Sequence, residues 1–179
     1  MPATRHVRKN TLDWWPPAGW WPDPARDLLE TASHASSATF VLPPKADSVH
    51  SSRNVTISTL TGWGMSAVAE NMELVVSELS TNALRHGLNH DPGDGRAPRP
   101  HAGPQHRVPS SISLSLVRRG GFVTCALVDP GPGTPVLRFP DDDLEPGGLG
   151  LHIVDSLSVR WGWSPLTPYG KIVWAVLAA

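Results

Sequence analysis

Six apolar residues, Val68, Met72, Val75, Val76, Leu79 and Ala83, recur at the i, i+3, i+4, i+7 spacing of one helix face, and Gly87 stops the run. Such a stripe must be covered by a second apolar layer. Strand patterns supply it. Thr39-Phe40-Val41-Leu42 reads as a short strand ended by Pro43-Pro44. Ile112, Leu114 and Leu116 alternate with serines, Arg119-Gly120-Gly121 turns the chain, and Phe122 to Val128 returns, which is the pattern of a hairpin. Two closing strands are expected near 159–163 and 171–177. A weaker helix is expected over 46–61, with Val49, Val55, Ile57 and Leu60 as its apolar residues and Gly62 and Gly64 ending it, and a short one over 149–157. Strands first, in the middle and last, with helices between, predict an α+β two-layer sandwich. Its helices lie on one face of a mixed, mostly antiparallel sheet.

At 179 residues and 40% hydrophobic content the chain can build one core with segments to spare. Residues 38–179 are expected to form that domain. Residues 1–37 are read as an extension rich in Trp and Pro, in which Trp14-Trp15-Pro16 returns as Trp20-Trp21-Pro22. That much exposed indole is an aggregation hazard, so the extension either docks on the domain, a second copy or a partner, or is a tail with incidental tryptophans. Residues 88–109, with repeated Gly and Pro and no periodic face, are expected to form a loop. Its His90, His101, His106, Asp91 and Asp94 fit no standard metal spacing.

A net charge of -1 gives no broad electrostatic reason for binding nucleic acid or a membrane surface. The lone Cys125 fits a reducing compartment. No apolar run approaches the roughly 20 residues of a membrane span, and the N-terminus lacks the apolar stretch of a signal peptide, so the expected location is cytoplasmic.

Three further pieces carry chemistry. Glu78 and Asn82 are four residues apart in the helical run, about 40° apart on one face and at the margin of the apolar stripe. Alone, they are a pair of solvated polar residues. A magnesium ion, however, takes oxygen ligands and keeps several waters, so one Asn carbonyl beside phosphate oxygens is a sufficient anchor, and a nearby carboxylate can engage an attacking hydroxyl. Asp129 ends the Phe122 to Val128 strand ahead of Gly131 and Gly133. Its carboxylate either accepts the exocyclic amine of adenine, where guanine has a carbonyl, or shapes an ordinary Asp-Pro-Gly turn. Gly148-Leu149-Gly150-Leu151 opens the short helix, where phosphate is best received. Neither a dinucleotide fingerprint nor a P-loop is present, since Gly170-Lys171 continues into Ile172 and lacks the upstream glycine.

Taken in order, these segments resemble the Bergerat-fold, or GHKL, ATPase superfamily, which includes gyrase B and the histidine kinases. Within it they are most similar to the branch of anti-sigma-factor serine/threonine kinases and related small bacterial ATP-binding regulators. Glu78-Leu79-Ser80-Thr81-Asn82-Ala83-Leu84-Arg85-His86-Gly87 looks like the N box of that branch, Asp129-Pro130-Gly131-Pro132-Gly133 like its G1 box, and Gly148 to Val154 like its G2 box. Arg160-Trp161-Gly162 and Gly170 to Trp174 also fit its closing strands.

The resemblance implies ATP and Mg2+ as cofactors, Glu78 as general base, Asn82 as magnesium ligand and Asp129 as adenine reader. Gly131, Gly133, Gly148, Leu149, Gly150 and Leu151 would line the nucleotide. Arg85 and His86 either face the phosphates or form a cationic helix end. Relatives commonly carry Thr where this chain has Ile172, so a hydroxyl expected to support the adenine side is missing. The 88–109 loop also looks longer than usual. By the same resemblance the partners are a sigma factor and its protein antagonist, and the chain works as a homodimer. The alternative is a non-catalytic module in which nucleotide only switches a protein interface. Trp161, Trp163 and Trp174, spaced within strands, read as core or partner-facing aromatics.

Overall fold

A computed structural model describes residues 36–87, 111–131, 133–137, 149–166 and 170–179. The elements run β1 (Ser36–Leu42), α1 (Asp47–Gly62), α2 (Ser66–Gly87), β2 (Ile112–Arg119), β3 (Phe122–Asp129), α3 (Gly150–Leu157), β4 (Arg160–Pro165) and β5 (Lys171–Ala178). The expected α+β sandwich is present. The strands form one sheet in the order β1-β2-β3-β5-β4. Every pairing among the described strands is antiparallel, so the parallel component of a mixed sheet does not occur there.

Helix α2 buries the expected stripe. Val68, Met72, Val75, Val76, Leu79 and Ala83 are all buried, against Ile112, Leu114, Leu116, Val123, Cys125, Leu127, Val173, Ala175 and Leu177 of the sheet. Each fully buried aliphatic side chain contributes about 1.5–3 kcal/mol relative to exposure, which is why this helix organises the layer above the sheet.

Helix α1 departs from expectation. Its buried residues are Ser48, Ser52, Thr56 and Leu60, while Ile57 is exposed. The seam between α1 and α2 is therefore built from small hydroxyl side chains, which let two helices approach closely. Ser80 Oγ donates to Ser52 Oγ at 3.2 Å, and Arg53 Nε donates to Ser77 Oγ. The hydroxyls of Ser48, Ser52, Ser77 and Ser80 are each hydrogen-bonded, which offsets the penalty of burying them. Gly62 is the last helical residue, and the chain reverses at Gly64 with φ 71°, where Met65 N–H donates to Leu60 O.

The β2–β3 turn has two residues, Gly120 and Gly121, and Gly120 adopts φ 55°, the positive value that a tight hairpin requires. Across the sheet, Trp161 and Trp163 pack toward the helices while Trp174, 5% exposed, lies on the opposite face with Val117, Ala126, Ile172 and Val176. No helix among the described residues is long and apolar enough to cross a membrane. The 1–35 part of the expected extension and the 88–110 segment, with its histidines, lie outside the described residues.

Cys125 is buried at the centre of β3, and desolvation pushes its thiol up to about 12. Because the folded thiol titrates above the unfolded one, the stability linked to it is fully present below about pH 8.5 and falls as pH rises toward that higher value. Iodoacetamide should label Cys125 only after unfolding. Full labelling of the native protein at pH 8, read by mass spectrometry, would contradict this burial.

Candidate functional site

Two groups of polar residues lie on the helix-covered side of the sheet. The first is built on α2. Glu78 and Asn82 are half-buried at the edge of the α2 stripe, one helical turn apart. Both converge on Gly150, the first residue of α3. A β-carbon built on Gly150 would lie 2.5 Å from Glu78 Oε2 and 3.6 Å from Asn82 Nδ2. The absence of a side chain at Gly150 thus makes room for the carboxylate, and the positive end of the α3 dipole favours a negative group there. In the sequence Gly150 lies 68 positions after Asn82 and 72 after Glu78, and the fold brings it to them.

The second group is built on the ends of β3 and β5. Asp129 continues the helix-facing alternation of Val123, Cys125 and Leu127, and it pairs in register with Lys171. Both are buried, at 3% and 5% exposure, and Asp129 Oδ2 lies 2.6 Å from Lys171 Nζ. Asp129 Oδ1 accepts the Gly131 N–H at 2.7 Å, and Lys171 Nζ donates to Gly131 O at 3.0 Å. The carboxylate therefore shapes its own turn, which is one of its two sequence readings, and is also tied to a cation. Gly170, with φ 92°, allows the approach. A side chain there would meet Asp129 O at 2.5 Å and Pro130 Cα at 3.1 Å.

Sequence reasoning misses Lys171. In the chain, Gly170-Lys171 reads only as an incomplete phosphate loop, whereas its partner follows from register, since the strand that ends at Asp129 pairs with the one that begins at Lys171. The weight given to Ile172 needs correction for the same reason. Its side chain packs with Val117, Ala126, Trp174 and Val176 on the face away from the helices, so it is not at the Asp129 carboxylate. The residue that meets that carboxylate is Lys171.

The remaining expected site residues differ in their placement. Gly131 is buried and engaged through its backbone. Gly133 is exposed, with open space where a side chain would project, so no close approach demands glycine there. Leu149 is 60% exposed ahead of α3, whereas the Leu151 side chain packs into the core, leaving only its backbone for a ligand. Arg85 is exposed near the end of α2. The His86 side chain and Gly148 lie outside the described residues.

A polar pair against a helix start, with a buried carboxylate at a strand end under a Gly-containing turn, is the arrangement expected of a nucleotide site. A model of the histidine kinase-like ATPase domain matches residues 42–177. The chain belongs to the histidine kinase-like ATPase family. Comparison with curated proteins returns no significant match. Membership implies that this ATPase domain binds ATP, typically with Mg2+. Its residues fit that group. The cradle at Gly150 holds a carboxylate and a carboxamide, the donor set of a hard cation, and Asp129 retains acceptor capacity beyond its two contacts.

Gly150→Ala should separate fold from site in this ATPase domain. Alanine favours a helix over glycine by about 0.5–1 kcal/mol, so the melting temperature should hold or rise. The added methyl crowds the start of α3, where backbone N–H groups would receive phosphate, and ATP affinity should fall about 10-fold, the scale of one lost charge-assisted contact. Unchanged affinity by calorimetry would detach Gly150 from the site. Gly170→Ala should instead lower stability by about 1–3 kcal/mol in denaturant unfolding, because both its φ and its space exclude a side chain.

Proposed function

We propose that the protein is an ATP- and magnesium-dependent regulator of the anti-sigma-factor type, a serine/threonine kinase that phosphorylates a protein antagonist and, as a homodimer, sequesters a sigma factor. The observation that carries the catalytic part is the convergence of Glu78 and Asn82 on Gly150 at the start of α3. When bound, Mg-ATP supplies the phosphoryl group and the metal charge that neutralises its oxygens.

The chain's own residues supply positioning. Asn82 offers its carbonyl oxygen to the metal. The start of α3 presents backbone N–H groups to phosphate oxygens. Asp129 accepts the amine of the base. Glu78 takes the proton of the incoming serine or threonine hydroxyl as its oxygen bonds to phosphorus, and ADP leaves. Such catalysis rests mainly on orientation and on charge placed in advance.

A second reading has support in one observation. Asp129 is already engaged by Lys171 and Gly131, which fits a module in which nucleotide switches an interface without phosphotransfer.

Two variants distinguish the readings. Asn82→Ala should abolish magnesium-dependent ATP binding by calorimetry. Glu78→Ala should retain ATP binding and lose radiolabel transfer to the antagonist. Transfer at the wild-type rate in Glu78→Ala would remove Glu78 as the base. No transfer by the wild-type protein, with ATP bound, would favour the switch.

A further inference from the structure

The Asp129–Lys171 pair can offer a ligand more than a single acceptor, and its part in recognition rests on the reading of the Asp129 end as the base pocket. A carboxylate has about four acceptor positions. Asp129 uses one on the Gly131 N–H at 2.7 Å and one on Lys171 Nζ at 2.6 Å. An ammonium has three donors. Lys171 directs one to Asp129 Oδ2 and a second to Gly131 O at 3.0 Å. Among the described residues, these contacts leave one Lys171 donor and further Asp129 acceptor positions unused, on two groups 2.6 Å apart.

Lys171 is only 5% exposed, so water does little for that last donor, and a buried donor without a partner is costly. We propose that Lys171 is a specificity-determining residue of the base site, its remaining ammonium N–H donating to ring nitrogen N1 next to the amine that Asp129 accepts. The pair then reads two adjacent positions of adenine. Guanine in the same placement presents a carbonyl to Asp129 and an N–H to Lys171, a mismatch at both.

The competing role is a brace, in which Lys171 only ties the β3 end to the Gly131 turn. The two roles differ in what they do to a nucleotide that keeps the 6-amine and lacks N1. Calorimetry with the full-length protein and magnesium should compare ATP with 1-deaza-ATP, in which N1 is a C–H. The wild-type protein should bind 1-deaza-ATP at least about 10-fold more weakly, as expected for a lost hydrogen bond to a charged donor. In Lys171→Met the ratio should collapse to within about two-fold, and Lys171→Gln, which keeps a neutral donor, should restore part of it.

A brace would weaken both nucleotides together and leave their ratio unchanged in Lys171→Met, which would overturn the proposal. Equal wild-type affinity for the two nucleotides would overturn it without any variant, even where Lys171→Met fails to fold. Absence of ATP binding by the wild-type protein would instead overturn the base-pocket reading, and this proposal with it.

Discussion

The antiparallel pairing of β3 with β5, running from Phe122 opposite Ala178 to Asp129 opposite Lys171, is the constraint on which the rest of the molecule depends. These are central strands, and most of their side chains are buried on both faces. Such strands read as nearly continuous apolar runs. Their register decides which residues meet the helices, because a slip of one position sends every side chain to the other face. The register that sets Cys125 and Ala175 into the core therefore also sets Asp129 beside Lys171. A buried ion pair gains little net stability unless hydrogen bonds satisfy its remaining groups. Here Gly131 supplies both a donor and an acceptor.

Helix α2 carries the other half of the design. One face fills the core, and its margin carries Glu78 and Asn82. A rigid helix is a better platform for such a pair than a loop, since packing fixes its rotation and therefore the direction of both side chains. On its other side, Ser80 meets Ser52 and Ser77 meets Arg53 across the seam with α1, which holds the helix close. At the far end of that pair, Arg118 of the sheet donates to Trp63 O in the turn between the helices. The layer is thus anchored at its turn as well as along its stripe.

Much of this is legible in the sequence. The period of α2, the serine alternation of β2 and the glycine turn at 120–121 each express a local rule, and the elements lie within a few residues of where those rules put them. Glu78, Asn82 and Asp129 can be named because their chemistry is unusual beside an apolar stripe or at a strand end. What escapes is tertiary. The face of α1 is misread because serine and threonine score as polar, yet their small volume suits a close helix seam. Lys171 escapes because its role depends on a cross-strand partner more than 40 residues away, and pairing is not written in either strand's own pattern. Ile172 draws undue weight for the same reason, since a single step along a strand changes the face of the sheet.

The two polar groups stand on different layers, Glu78 and Asn82 on a helix, Asp129 and Lys171 on strand ends. A ligand that touches both is a further cross-tie between layers joined mainly by apolar packing and, at the turn, by Arg118. Occupancy would then add to the packing that holds α2 on the sheet. Thermodynamic linkage converts that addition into a ligand-dependent gain in folding stability. The nucleotide would thereby act as a mechanical part of the domain.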